Sequence, residues 1–366
     1  MIKSNGDTMK KAAIILAAVV LLSVFGVVGM PKVSAAGEVV IAVDLAHGEN
    51  PKGLTDVTYE NETLTEGMLK VLTDYTFVYF GDSKYEADLG IKNIGDKITY
   101  EALKENNVTI LIIGQPRSPF YPEEVEAIKK WLEEGGHALW IAGDSDYGTS
   151  GVNTINFVDS VLNQLNMTNL RLDQASVEDP VSNAGAPYRV VAYADPWGDT
   201  PKRDIIVQGF EHDGAVLAHG PGVVAWVDGV DGSGDWHKLT PEEKPENTYV
   251  LIRSTGDSVI KENEDPAANA YTAGEQGEFP IAAAQIIELE GKNPSVIIVS
   301  GETPIGGYEP MWTSVYYQKP LDGPKVVSNI FKWSVEITKG ESGKSTCGPA
   351  FLVGLAVVPL LLRRRK

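Results

Sequence analysis

Hydrophobic and polar positions divide the chain into two regimes. Through residue 165, short apolar runs alternate with segments of helical spacing. Residues 38–44 are a Val- and Ile-rich run between polar loops, the pattern of a strand buried on both faces. Residues 62–73 carry Leu64, Met68, Leu69 and Leu72 at helical spacing, and 76–80 predict a second strand. A short helix at 100–105 and a strand at 108–113 follow. Pro122 opens a helix whose first turn holds Glu123 and Glu124, where the helix dipole favours acids. Its apolar stripe is Val125, Ile128, Trp131 and Leu132, and Gly135-Gly136 closes it. A fourth strand at 137–142 and a helix at 152–165 complete this half. Such alternation predicts an α/β fold: a parallel sheet with helices on both faces.

The second regime runs from about 170 to 290. Short strand signals at 189–194, 204–208, 223–228, 249–253 and 283–289 are separated by dense Gly, Pro and Asp, which predicts a β-rich extension. A buried strand at 295–300 and a closing helix at 324–333 restore α/β character. The extension therefore belongs to one domain, 37–338, followed by a short polar linker at 339–346. There is no internal repeat and no coiled-coil heptad pattern.

The two ends have a different pattern. Residues 12–30 are an almost unbroken apolar run, preceded by Lys3, Lys10 and Lys11 and followed by Ser34, Ala35 and Ala36. Basic start, apolar middle and small-residue site are the layout of a secretory signal peptide, here 1–36. An uncleaved anchor is the alternative, because the run is long enough to span a bilayer. At the other end, residues 347–366 comprise Cys347-Gly348-Pro349, an apolar stretch at 350–362, and Arg363-Arg364-Arg365-Lys366. This is either a short tail anchor with its basic cluster cytoplasmic or a processed sorting segment. Hydrophobic helices are thus expected at both termini.

Composition sharpens this picture. Net charge is −19, but eight of the 31 basic residues and one of the 50 acids lie in the two ends, so segment 37–346 carries −26. So acidic a body repels nucleic-acid phosphate, and no nucleic-acid partner is expected. An apolar fraction of 43% argues against general disorder. The lone cysteine, Cys347, excludes internal disulfides, Cys-based zinc sites and iron–sulfur clusters. Sequons at Asn61, Asn107 and Asn166 are compatible with surface glycosylation but near chance frequency.

Cys347-Gly348-Pro349, with Pro359 and the triple Arg, resembles the CGP-CTERM sorting signal of Thermococcales archaea. The resemblance covers only the last 20 residues of the chain. It implies an extracytoplasmic protein tethered at an archaeal cell membrane, with the tail processed by an archaeosortase-like enzyme. Cys347, Gly348 and Pro349 are then processing or attachment residues, and the tail gives way to a lipid anchor. A second resemblance spans about 37–337. Asp44, His47 and Gly48 after the first strand, Ile113-Gly114-Gln115-Pro116, Gly135-Gly136, Gly143-Asp144 and the closing Asn329-Ile330-Phe331-Lys332-Trp333 carry it. They resemble a group of Rossmann-like domains similar in fold to class I glutamine amidotransferases. The group includes domains of gliding-motility transporter components, intraflagellar-transport proteins and archaeal surface proteins. Amidotransferases use a Cys on a strand-to-helix elbow. The body has none, so that activity is excluded.

Open α/β sheets bind ligands beyond the carboxyl ends of their strands. Asp44 and His47 follow the first strand, Gln115 and Arg117 the third, Asp144, Ser145 and Asp146 the fourth, and Glu302 the late one. Asp44, His47, Gln115, Asp144, Asp146 and Glu302 are accordingly the ligand-binding candidates. Asp44, His47, Asp144 and Asp146 also offer donors for a divalent cation, the one cofactor the rim suggests. Ser145 sits in Gly143-Asp144-Ser145-Asp146-Tyr147, where Tyr147 replaces the second Gly of a nucleophile elbow. A polar loop capping the next helix is the better reading than a nucleophile with His47 or His219 as its base.

Other features favour bland readings. Asp228, Asp231 and Asp235 read as a β-turn loop more than a calcium loop. His212, His219 and His237 lack metal-ligand spacing. Tyr308, Trp312, Tyr316 and Tyr317 read as a packed loop before a sugar or peptide platform. Gly-Lys-Ser at 343–345 lacks the first glycine of a phosphate loop. The function expected is a non-catalytic, membrane-anchored surface protein that binds a small molecule or a protein. The alternatives are a metal-dependent or Ser hydrolase using the rim, and an envelope scaffold or transporter-associated component.

Overall fold

The computed structural model describes residues 39–340 except 50, 60–61, 148–151 and 306–310. The expected signal peptide, the sorting tail and the hydrophobic helices at both termini lie outside the described residues. Among the described residues no helix is long and apolar enough to cross a membrane.

The first half forms β1 (Val40–Asp44), a ribbon of β2 (Val57–Tyr59) and β3 (Glu62–Thr65), β4 (Thr76–Phe80), β5 (Lys92–Gly95), β6 (Val108–Gly114) and β7 (Ala138–Ala142). Among the described residues the longer helices are α1 (Tyr100–Glu105), α2 (Pro122–Glu134), α3 (Thr154–Leu165) and α4 (Gly323–Thr338). The β-rich segment contributes β8 (Leu170–Glu178), β9 (Arg189–Tyr193), β10 (Ala215–His219), β11 (Gly222–Val227) and β12 (Trp236–Lys238). It continues with β13 (Thr248–Arg253), β14 (Val259–Lys261) and β15 (Pro280–Ile287), before β16 (Ser295–Ser300) and a small hairpin of β17 (Val315–Tyr316) and β18 (Lys319–Pro320).

One ten-stranded sheet has the order β10-β9-β13-β15-β16-β7-β6-β1-β4-β5. From β5 to β16 its neighbours are parallel; from β16 to β10 they are antiparallel. A separate antiparallel sheet runs β12-β11-β8-β14. The β-rich segment thus serves both sheets. Alternation along the central strands sends Ile41, Val43, Ile110 and Ile112 into one core with Val326, Val327, Ile330 and Phe331 of α4. Val40, Ala42, Leu111 and Ile113 enter the opposite core with Val125, Ile128, Trp131, Val158 and Leu162 of α2 and α3. Helices therefore cover both faces of the parallel part, as its continuously apolar strands require.

Two predicted elements differ. The helix expected over 62–73 is β3 followed by one helical turn, Met68–Val71. Gly67 stands between the ribbon and the turn. A Cβ on Gly67 would lie 2.3 Å from the Thr55 carbonyl carbon, so the chain passes too close there for a helix carrying side chains. The strand expected over 204–208 is a helical turn, Arg203–Ile206. The Asn329 side chain from α4 donates to the Ile206 and Gln208 carbonyls at 2.9 and 2.8 Å, using acceptors a strand would give to a neighbour. The nine-residue β8 was not among the predicted strands, because it buries Arg171, Asp173 and Gln174 among its apolar residues.

Candidate functional site

Parallel register brings the carboxyl ends of β1, β6, β7 and β16 to one rim. Gly114 pairs with Ala142, and Ala142 with Ser300. Past these ends the backbone stays tied: Gln115 N–H donates to the Ala142 carbonyl (2.8 Å) and Gly143 N–H to that of Ser300 (2.9 Å). The second sheet meets this rim at two glycines. Gly222 N–H donates to the Gly301 carbonyl at 2.9 Å. A Cβ on Gly301 would lie 2.1 Å from the Gly222 oxygen, and one on Gly222 would lie 2.6 Å from that of Asp144. Backbone-to-backbone contact therefore places the start of β11 against the ends of β7 and β16.

At the β1 end the chain turns sharply. Asp44 Oδ1 accepts the Ala46 amide (2.9 Å), and Asp44 Oδ2 lies 2.7 Å from His47 Nδ1. His47 Nε2 lies 3.2 Å from Glu124 Oε2 in the first turn of α2. Glu124 also accepts the Tyr121 amide at 3.1 Å and, through Oε1, the Ile98 amide at 3.0 Å. Phe120 stacks on the imidazole with ring centroids 3.5 Å apart, and His47 is only 4% exposed. Burial alone would depress the imidazole pKa. The hydrogen bonds and charges of Asp44 and Glu124 outweigh it and raise the value to about 9. Burial likewise opposes ionisation of Glu124, but His47 and the two amides hold its pKa below the usual range. Buried Glu49 joins the group: its Oε2 accepts the His47 amide at 3.0 Å, while Oε1 has no hydrogen-bond partner. Burial first, then the Asp44 carboxylate, push the pKa of Glu49 well above the ordinary carboxyl range.

The other rim acids face different duties. Asp146 is buried and accepts the Asn263 amide (2.5 Å), the Asn263 side-chain amide (2.7 Å) and the Glu264 amide (3.3 Å). Glu302 accepts the His219 amide at 2.5 Å and the Thr303 amide at 2.8 Å. Both carboxylates tie segments of the β-rich region to the sheet. Gln115 sits at the end of β6 with φ +49°, a left-handed conformation uncommon outside glycine, and its Nε2 is buried without a partner. Asp144 Oδ1 accepts the Ser145 amide at 2.8 Å, and its own amide is capped by Thr154 Oγ1 at 2.9 Å. Burial raises the Asp144 pKa to about 7, against the pull of the Ser145 amide and the Arg117 charge. Ser145 is buried and its hydroxyl accepts the Tyr147 amide at 3.2 Å.

Asp144 opens onto a cavity of about 490 Å³ between the sheets, bordered by Tyr147, Glu178, Tyr188, His219 and Asn263. Tyr147 and Tyr188 are 64% and 42% exposed, so two phenol rings stand at its mouth. The rim thus separates into two groups. Among the described residues, the group of three or more Asp, Glu and His side chains that each bring a ligand atom within 4.8 Å of the others is Asp44, His47 and Glu49. Asp144 and Asp146, offered by the sequence as cation ligands beside Asp44 and His47, are not in that group. Glu49, Glu124, Glu178, Tyr188 and Asn263 were not singled out in the sequence as site residues. Only Glu124 left a signal, an acid three residues after the position preceding a helix, which is capping-box spacing.

Outside the rim most bland readings fit the geometry, but the packed-loop reading does not hold for Tyr317, which is 61% exposed. Asp228, Asp231 and Asp235 lie in the turn between β11 and β12, where Ser233 N–H donates to Asp231 and Asp228 pairs with His237 at 2.9 Å. Trp312 is fully buried and donates to the Glu66 carbonyl at 2.9 Å. Tyr308 lies outside the described residues.

Among solved structures the chain is similar to a domain described as the mmIFT52 N-terminal domain, a distant neighbour at 16% identity. That match covers 82% of this chain and 98% of the other, with a TM-score of 0.46. No protein-family model and no curated protein matches the chain.

Proposed function

We propose that the chain is an extracytoplasmic, membrane-tethered binding protein whose α/β body holds a small polar ligand without transforming it. The observation that carries this reading is the cavity at the rim, lined by the polar Asp144, Glu178 and Asn263 and by the exposed Tyr147 and Tyr188. Ligand pockets combine apolar walls with a few convergent polar groups in this way. Phenol faces suit the C–H face of a sugar, and carboxylate and amide groups suit its hydroxyls. A hydrolase using Ser145 and His47 is disfavoured. Both nitrogens of His47 are engaged by carboxylates under Phe120, and Tyr147 stands where a nucleophile elbow needs its second Gly. The tether and the export signal rest on the terminal sequences, including the CGP-type tail of residues 347–366, whose partners are the membrane and a sorting enzyme.

The test is isothermal titration of the full chain with a panel of neutral oligosaccharides, and product analysis of the same mixtures. Saturable binding that Tyr188→Ala weakens by about tenfold or more, with the sugar recovered intact, is the expected result. Recovery of cleaved sugar, or binding that Tyr188→Ala and Asp144→Asn leave unchanged, overturns the reading.

A further inference from the structure

We propose that Asp44, His47 and Glu49 form a site for one divalent cation of borderline hardness, Zn²⁺ or Mn²⁺, with Glu124 orienting the histidine ligand. Three observations point there independently of the cavity. The first is proximity: one donor atom from each of the three side chains falls within 4.8 Å of the others, and all three residues are buried. The second is the unused acceptor. Glu49 is 95% buried by its 5% exposure, yet Oε1 has no hydrogen-bond partner. The Asp44 carboxylate beside it is another acceptor, close enough to share a hydrogen bond only when one of the two carries a proton, and two ionised buried carboxylates need a cation between them. A buried carboxylate oxygen without a donor is costly, so a cation or a proton is expected to fill that role.

The third observation is the far side of the imidazole. Metal-bound histidines commonly donate their second ring N–H to a carboxylate, which fixes tautomer and ring plane. Here Glu124 Oε2 lies 3.2 Å from Nε2, leaving Nδ1 on the side of Asp44 and Glu49. Glu124 is itself held by two backbone amides, and Phe120 clamps the ring. The ion would displace the Nδ1 proton to solvent, and Asp44 Oδ2, now 2.7 Å from Nδ1, would have to draw back to admit it. Two carboxylates and one imidazole are a mixed oxygen and nitrogen set, which suits Zn²⁺ or Mn²⁺ better than Ca²⁺ or Mg²⁺. The consequence is structural: the ion would fix the turn of residues 44–49, whose His47 carbonyl accepts the Arg117 amide at 2.8 Å and so links the ends of β1 and β6.

The test uses the full chain, stripped with a chelator, reloaded with Zn²⁺ or Mn²⁺, dialysed and analysed by elemental mass spectrometry. Wild type should retain about one equivalent of ion per chain, and its melting temperature should rise on reloading. Glu49→Gln should lose retention. Glu124→Gln, outside the ligand set, should weaken affinity about ten- to a hundredfold. Asp231→Asn, in the exposed acidic turn, should change nothing. If Glu49→Gln does not fold, X-ray absorption of the loaded wild type decides, with an imidazole nitrogen among oxygen ligands as the expected signature. Wild type that retains no ion, a Glu49→Gln variant that binds as wild type does, or an absorption spectrum without a nitrogen ligand overturns the proposal. In the first case Asp44 and Glu49 share a proton instead.

Discussion

Asp144 shows how one side chain reports its surroundings. Its folded-state pKa of about 7 stands above the ordinary carboxyl value because burial penalises the anion. The fold thus favours the neutral acid. Its contribution to stability is complete below about pH 4, where the unfolded chain also binds the proton, and is lost as pH rises through about 7. Asp144→Asn removes this titration. Urea unfolding at about pH 5 and about pH 8.5 should show the variant losing less stability than wild type over that interval, by on the order of 1 kcal/mol. Equal losses in the two proteins would place the carboxyl in a wetter environment than the cavity lining. Asp322 is a contrasting case, a buried acid that spends its lone pairs on structure. It accepts the amides of Glu211, His212 and Gly214 at 3.0, 2.8 and 2.9 Å. Asp322→Ala leaves three donors to find water, and should lower stability by about 3 kcal/mol in the same assay at neutral pH.

At the scale of elements, the contact of the two sheets depends on absent side chains. Gly301→Ala would set a methyl 2.1 Å from the Gly222 oxygen, and no rotamer relieves a clash between backbone atoms. The variant should lose about 1–3 kcal/mol and move β11 away from the rim. A melting temperature equal to that of wild type would show that the sheets do not meet there. Asp173 pins a different junction. Buried in β8, it accepts the amides of Gln174, Asn269, Ala270 and Tyr271 at 2.6–2.9 Å. Asp173→Ala should free the segment around 262–272, making it the first site of limited proteolysis while the rest of the domain resists. The same residues explain what the sequence could and could not reveal. β1, β6, β7 and β16 were legible because strands buried on both faces are continuous apolar runs, and α2 because its stripe, opening Pro and closing Gly-Gly agree. β8 was hidden because Arg171 and Asp173 look like surface residues until their partners are known. Arg171 is fully buried, and its guanidinium donates to the Thr168, Leu170 and Val230 carbonyls at 2.7–2.8 Å. Those partners lie on a neighbouring loop as well as on the strand's own approach, so no local pattern announces them. Asp44 and His47 were legible as the acid and imidazole after the first strand. Glu49 and Glu124 were not, since their roles follow from where α2 lands on the sheet.

For the whole molecule the decisive property is the division of charge. Segment 37–346 carries −26, whereas the two ends are basic and hydrophobic, with eight basic residues and one acid between them. Inside the domain much acidity is committed: Asp146, Asp173, Asp322 and Glu302 each hold backbone amides of distant segments. The remaining acids leave a surface that repels polyanions. On the proposed function the ends serve only as address, and their fate is then separable from the folding of the body. Mass spectrometry of the protein purified from native membranes should therefore find a chain that begins near Gly37 and lacks Arg363 to Lys366, with added mass at or near Cys347. Val33 to Ala36 supply the small residues a signal peptidase requires, and thirteen residues from Ala350 to Leu362 are short for a permanent span. Cys347→Ser should keep the folded domain, with an unchanged melting temperature, but shift it from the membrane fraction or leave the basic tail uncut. A native chain that retains Arg363 to Lys366 would instead make the tail the anchor itself, and Cys347→Ser would then leave the membrane fraction unchanged.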